Sequence, residues 1–263
     1  EPYRRQRQMC IRDRYKSECH HGTAYTKMLA DYSGIHSEVC YYVPLNQTYE
    51  VWHLKVTNAS ACERNLTITG YAEFTNNNNY EQDQVNLQYS QFITSTVFET
   101  NRIRHIIHGN LDWVKEGEEV DNKLAISRFF ALTGAPVDSY CGDKESFLGR
   151  YHGYHNPVGV ENGKLSGEMC YNENGCGALA TQMLLKPGET KEIAFLVGMK
   201  EHEEAEAICN RYADVAAQCE TELKELMGYW HEKLEHFQVH TPSREFDTMI
   251  NTWNAYNLSL IHI

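Results

Sequence analysis

The chain has 263 residues, of which 41% are hydrophobic, so it can bury a core as one large domain or two small ones. Its formal net charge of −12 repels phosphate backbones and anionic lipid, so we expect neither nucleic-acid nor membrane partners. No apolar run in the sequence approaches the roughly 18 residues needed to cross a bilayer.

Both ends of the chain carry unusual sequence. Residues 1–14 and residues 258–263 resemble the translation of a sequencing adapter. We therefore expect the native segment to run from about Tyr15 to Asn257 and leave the two ends out of fold reasoning.

From residue 23 to residue 198 the apolar residues alternate with polar ones, and Val, Ile, Thr and Tyr are enriched. Turn residues separate the runs. The pattern predicts a β domain over 15–200, built as a sandwich or barrel of antiparallel strands. The predicted strands are 35–43, 52–56, 66–74, 90–98, 103–108, 126–132, 177–185 and 191–198.

After Lys200 the apolar spacing changes to three and four residues. It predicts one helical face sustained for about 30 residues, within a helical segment 201–240. Thr241-Pro242-Ser243 then reads as a stop followed by a new N-cap. A second amphipathic helix is expected over 243–257, and its apolar face predicts that a mostly helical domain follows.

Two polar stretches, 76–89 and 143–157, are dense in amides, carboxylates and tyrosines. Amides pair with sugar hydroxyls as donors and acceptors at once, and aromatic rings cover the apolar side of a pyranose. The stretches therefore suggest carbohydrate binding. The alternative is that both are solvated connecting loops.

Catalytic and metal-binding patterns are sparse. Paired acids hydrolyse glycosidic bonds in many enzymes, but spacing singles out no pair among the candidate acids Glu73, Glu81, Asp83, Asp143 and Glu145. His20-His21 lacks further ligands at sensible spacing, so we predict no metal. Nine scattered cysteines without a CxxC motif indicate a reducing compartment, and we predict a cytoplasmic protein.

An ordered set of short motifs runs through nearly all of 15–257. The sequence from Cys19 to Thr26, with later motifs in the same order, resembles the N-terminal domain of inverting glycoside phosphorylases of the cellobiose and cellodextrin type, glycoside hydrolase family 94. The later motifs are Gly34–Glu38, Tyr42–Leu45, Glu50–Trp52, Val56–Asn58, Glu73-Phe74, Asn86–Gln88, Phe147–Gly149, Asn156-Pro157, Leu185–Glu189 and Met249–Tyr256.

The resemblance implies a large mutarotase-like supersandwich over 15–200, a linker over 201–240 and the first helix of a truncated (α/α)6 barrel over 243–257. It implies a homodimer that cleaves a β-glucan-derived oligosaccharide with inorganic phosphate and gives α-glucose 1-phosphate. No organic cofactor is implied. The family's catalytic aspartate lies in the barrel, so no catalytic residue is expected in this chain, which would be inactive alone.

The resemblance also implies one binding loop. The family carries an Asn-aromatic-Gln-Arg pattern that reaches the acceptor sugar, often in the partner subunit. Asn86 and Gln88 match it, whereas Leu87 and Tyr89 replace the aromatic residue and the arginine. We predict substrate contacts from Asn86, Gln88 and Tyr89.

Three other functions are compatible with these patterns. A stand-alone carbohydrate-binding sandwich would bind glucan without catalysis. A mutarotase-like epimerase would need a His/Glu pair converging in the sandwich cleft. A hydrolase or transferase with the same N-terminal domain would act without phosphate.

Overall fold

A computed structural model describes residues 15–74, 85, 87–108 and 127–257, with only the backbone of Leu87, Tyr89 and Ser90. Within these ranges the chain is mainly β, as predicted. The strands are β1 (Lys16–Gly22), β2 (Tyr25–Tyr32), β3 (Ile35–Tyr42), β4 (Tyr49–Asn58), β5 (Arg64–Glu73), β6 (Thr94–Glu99), β7 (Arg102–Ile107), β8 (Ser127–Thr133), β9 (Ser139–Asp143), β10 (Gly175–Leu185) and β11 (Thr190–Lys200).

The strands form two antiparallel sheets. The larger sheet has the order β1-β2-β3-β4-β11-β8-β7-β6, and the smaller has the order β5-β10-β9. Short helices α1 (Leu87–Phe92), α2 (Lys144–Leu148) and α3 (Val158–Glu161) lie in the connections. The C-terminal helices are α4 (His202–Arg211), α5 (Val215–Glu235) and α6 (Arg244–Thr248), and α6 continues as a π-helix (Met249–Asn254).

The core between the sheets comes from the alternating apolar residues. Leu54 and Val56 of β4 and Ile193 and Phe195 of β11 pack against Leu179 and other residues of the smaller sheet. Successive strand side chains point to opposite faces, so this one-sided set is what a period of two produces. The predicted sandwich is confirmed.

The outer face of the larger sheet is also buried. Cys40 and Tyr42 of β3 lie in a second core with Val51 and with Tyr212 and Leu226 of the C-terminal helices. The helices thus cover the sheet as a third layer.

Two secondary-structure predictions were wrong in part. The predicted strand 90–98 begins as the end of α1, and only Thr94–Glu99 is extended. The single long helix is two helices, because Asp214 leaves the helical conformation and its side chain accepts a hydrogen bond from the Ala217 N–H at 3.1 Å. Such a cap starts a new helix rather than continuing the old one.

The last helix begins where predicted, with Ser243 accepting a hydrogen bond from the Phe246 N–H at 3.3 Å. Neither α6 nor the π-helix contains a buried residue; Phe246 is 51% exposed and Met249 54%. That this segment begins a helical barrel stays a prediction. Among the described helices, none is long and apolar enough to span a membrane.

Candidate functional site

The structure brings the second polar stretch against α1. We call the resulting cavity, of about 500 Å³, the polar cleft. An adjoining hollow shares Asp143, Glu145, Arg150 and Glu173 with this cavity and extends toward Tyr171. The polar cleft is lined by Gln91, Asp143, Lys144, Glu145, Leu148, Gly149, Arg150, His152, Glu173 and Asn174.

Helix α1 forms one wall. The Gln91 side chain donates a hydrogen bond to Asn174 Oδ1 at 2.8 Å. Of the predicted contacts, Gln88 is exposed on α1, the side chain of Tyr89 is not described, and Asn86 lies outside the described residues. Gln91 was not predicted, although its position three residues after Gln88 puts both on one side of a helix.

Helix α2 forms the opposite wall. Asp143 is largely buried and caps this helix by accepting a hydrogen bond from the Ser146 N–H at 2.7 Å. Glu145 is exposed, with its carboxylate 3.6 Å from the Arg150 guanidinium. The Asp143 carboxylate is thus used as a helix cap. Asp143 and Glu145 are therefore not arranged as a general acid and a general base that face a common substrate.

The loop 149–157 closes the cleft in an unusual backbone conformation. Gly149 has φ of +82°, and Tyr151 adopts φ of +63° despite its side chain. His152 Nδ1 lies 2.9 Å from the Asn156 carbonyl oxygen and 3.1 Å from the Asn156 side-chain nitrogen, so it donates to the first or accepts from the second, depending on the tautomer. The His152 ring is therefore held in place at the cleft.

Glu73, the last residue of β5, connects these parts. Its carboxylate accepts hydrogen bonds from the hydroxyls of Tyr71 at 2.9 Å and Tyr154 at 2.5 Å, and from the Lys144 ammonium at 2.9 Å. Tyr71 in turn stacks on Phe147 of α2, with ring centroids 4.5 Å apart.

These bonds fix the charge of the group. Partial burial would raise the pKa of Glu73, but the hydrogen bonds from Tyr154, Lys144 and Tyr71 outweigh it and lower the pKa below its ordinary value. Burial would lower the pKa of Lys144, yet its bonds to Tyr154 and Glu73 raise it. The pair is therefore ionised at neutral pH.

Of the His/Glu pairs among the described residues, one lies at the polar cleft, where His152 Nδ1 is 3.7 Å from Glu161 Oε2, and another is covered. His53 Nε2 lies 2.7 Å from Glu192 on adjacent strands, and His53 shares the face of Val51 that the C-terminal helices cover. Burial lowers the pKa of His53. The described part holds no cluster that could bind a metal; His20 instead contacts Glu18.

A second, more apolar hollow lies between the larger sheet and the C-terminal helices. We call it the aromatic groove; its volume is about 1220 Å³. Tyr25 and Tyr42 line it from the sheet, and Tyr229, Trp230 and Tyr256 line it from the helices. Trp230 and Tyr256 meet edge to face, with centroids 4.8 Å apart.

Comparison with known families decides the assignment. Residues 6–215 match the supersandwich domain of glycosyl hydrolase family 94. The chain belongs to this family. The match begins inside the N-terminal segment that resembles adapter sequence, whose origin stays a prediction.

The similar characterised proteins are much longer. The chain is 31% identical to an N,N′-diacetylchitobiose phosphorylase of Vibrio furnissii, covering 91% of this chain and 28% of that protein. It is 27% identical to a 3-O-β-D-glucopyranosyl-β-D-glucuronide phosphorylase of Paenibacillus borealis, covering 90% of this chain and 29% of that protein. The chain thus spans less than a third of the length of these relatives.

Proposed function

We propose that this chain is the N-terminal part of a phosphorylase that cleaves a β-linked disaccharide or oligosaccharide with inorganic phosphate. The family match over residues 6–215 carries this proposal. The names of both relatives, each a disaccharide phosphorylase, support the reaction class.

The chemistry divides between this chain and the rest of the longer protein. One acid protonates the leaving oxygen while phosphate attacks the anomeric carbon from the opposite face, giving a sugar 1-phosphate of inverted configuration. Phosphate replaces the second carboxylate that a hydrolase needs. Asp143 caps a helix and Glu145 faces Arg150, so these two acids of the polar cleft are suited to shaping a binding surface rather than to proton transfer. We assign the catalytic aspartate to the part that this chain lacks.

The polar cleft and the neighbouring α1 would contact the acceptor sugar. Asn86, Gln88 and Tyr89 remain the proposed contacts, with Gln91 as an addition from the structure, because Gln91 lines the cleft. In a homodimer these groups would serve the site of the partner subunit. The exposed Phe246 and Met249 and the aromatic groove offer surface on which a following helical domain could pack.

The substrate class follows from chemistry shared by the relatives. We propose β-linked glucose or N-acetylglucosamine disaccharides, with cellobiose and N,N′-diacetylchitobiose as the two substrates to compare. A cytoplasmic location accords with the eight described cysteines, all of which are free thiols.

The test is to recover the longer reading frame, express it, and measure sugar 1-phosphate release from both disaccharides with and without phosphate. Phosphate-dependent release by the longer protein, and none by the 263-residue chain, is expected. Hydrolysis without phosphate would favour a hydrolase. Anomer interconversion by the 263-residue chain would favour an epimerase, and glucan binding by a protein that releases no sugar phosphate would favour a binding module.

A further inference from the structure

Glu73 lies where two walls of the polar cleft meet. It does not line the cavity itself, but Lys144 does, and the Lys144 ammonium lies 2.9 Å from Glu73 Oε2. The other oxygen of Glu73, Oε1, accepts a hydrogen bond from the hydroxyl of Tyr154. Tyr154 lies two residues after His152, which lines the cavity. One carboxylate thus joins α2 to the loop 149–157.

The loop needs such an anchor. Its backbone contains a non-glycine residue at positive φ, Tyr151, whose conformation persists only where surrounding contacts hold it. The Tyr151 side chain is fully exposed, and Tyr154 is 62% exposed with its ring tilted against Tyr71, at 6.3 Å between centroids, so apolar packing restrains this segment weakly. The hydrogen bond from the Tyr154 hydroxyl to the Glu73 carboxylate is one of the described bonds that attach this segment to the rest of the fold.

We propose that Glu73 is a positioning residue of the polar cleft: its carboxylate ties Lys144 and Tyr154 together and so holds the loop 149–157 in the shape that receives the acceptor sugar. The positioning of the loop stands on the geometry alone. The effect on sugar affinity rests on the proposed phosphorylase function.

The first test measures the loop directly by amide hydrogen exchange of the 263-residue chain. We expect Glu73→Gln to raise exchange in 149–157 by about tenfold, because hydrogen bonds to an ionised carboxylate are replaced by weaker bonds to a neutral amide. Tyr154→Phe removes one hydroxyl from a largely exposed residue, leaves the fold intact and is expected to raise exchange in the same segment. The matched control is Glu38→Gln, which breaks an ion pair of 3.1 Å with Lys27 between β2 and β3 and should leave the loop unchanged.

The exchange also has a pH signature. The pKa of Glu73 is lowered from 4.5, so the anchor is complete above that value and is lost as pH falls through the lower folded value. In the native chain the protection of 149–157 should fall in that acidic range beyond the fall of other loops. In Glu73→Gln this extra change should vanish, and its persistence there would contradict the proposal.

The second test concerns the longer protein. The reaction is measured in the direction of synthesis from the sugar 1-phosphate. Glu73→Gln and Tyr154→Phe are each expected to raise KM for the acceptor sugar about fivefold at unchanged kcat, since the Glu73 carboxylate positions a wall of the binding site and not the reacting atoms. Unchanged exchange in 149–157 with either variant overturns the positioning role, whatever the enzyme does. Raised exchange with unchanged KM limits Glu73 to structure and overturns the link to the sugar. A longer protein without phosphorolysis refutes the proposed function while the exchange result still stands.

Discussion

The hydroxyl of Tyr212 donates a hydrogen bond to the carboxylate of Glu222 at 2.7 Å, although both side chains are buried between α5 and the larger sheet. The same carboxylate oxygen, Oε2, also accepts a hydrogen bond from the hydroxyl of Tyr42 in β3 at 3.0 Å. The side-chain amide of Gln218 donates a hydrogen bond to the other oxygen, Oε1, at 2.9 Å. Glu222 therefore fixes the rotation and register of α5 on the sheet with bonds that apolar packing alone does not provide.

We predict that Glu222→Ala lowers the free energy of unfolding by about 3 kcal/mol, because two buried tyrosine hydroxyls lose the oxygen that accepts their hydrogen bonds. Glu222→Gln should cost less, since the amide oxygen still accepts. Urea unfolding followed by tryptophan fluorescence measures both. Glu225→Ala, on the exposed face of the same helix, is the control and should change stability by less than about 0.5 kcal/mol.

Gly149 is the second position where a small change should have a large effect. Its φ is +82°, and a Cβ atom there would lie 2.4 Å from Cγ2 of Val158. We predict that Gly149→Ala lowers the free energy of unfolding by about 3 kcal/mol, because the new side chain strains the backbone and displaces Val158. Gly163 also has a positive φ, of +65°, but open space around it, so Gly163→Ala should lower the free energy of unfolding by only about 1 kcal/mol. Equal losses for the two variants would contradict the prediction for Gly149.

The sequence predicted the sandwich because burial on a sheet leaves a direct signature. Leu54 and Val56 lie on the face of β4 that is buried between the sheets, and they alternate with more polar residues, as burial of a single face requires. The short helix α1 left no such signature. Its six residues are too few to show a period, and an isolated helix of that length is unstable, so tertiary contacts such as Gln91 to Asn174 help determine its conformation.

The polar cleft could be predicted only in part. The sequence marked 143–157 as unusually polar, but not its contact with 173–174. That contact arises because β9 and β10 pair with Asp143 opposite Gly175, and the Lys144 N–H donates to the Asn174 carbonyl at 3.1 Å. Register between strands more than 30 residues apart depends on the whole core, and no local spacing encodes it.

His105 gives a prediction about pH. It is fully buried in β7, stacks on Phe74 at 5.1 Å, and neither ring nitrogen has a partner among the described residues. Burial, with smaller contributions from Arg128 and His108, lowers the pKa of His105 from 6.5 to about 3. The folded state therefore excludes a proton that the unfolded state binds below pH 6.5.

The sign follows from proton linkage. The contribution of neutral His105 to the free energy of unfolding is complete above pH 6.5. It is lost as the pH falls toward 3, by up to about 1.4 kcal/mol for each pH unit. In His105→Phe this dependence should be flatter between pH 6.5 and 5, where carboxylates titrate little. Urea unfolding across that range measures the difference. Val97→Ala, at a partly exposed position of the neighbouring strand β6, removes no titratable group and is the control, which should keep the native slope.

The apolar face of the last helix gives the final prediction. Phe246 and Met249 lie one turn apart, and each is about half exposed. The double variant Phe246→Ser and Met249→Ser should bind less of a hydrophobic dye and self-associate less in sedimentation, at nearly unchanged unfolding free energy. Tyr256 provides the contrast because it packs on Trp230, so Tyr256→Ser should destabilise the chain by about 2 kcal/mol. If the double variant instead unfolded as readily as Tyr256→Ser, the two residues would be packed against the protein in solution, and the face would not be free for a following domain.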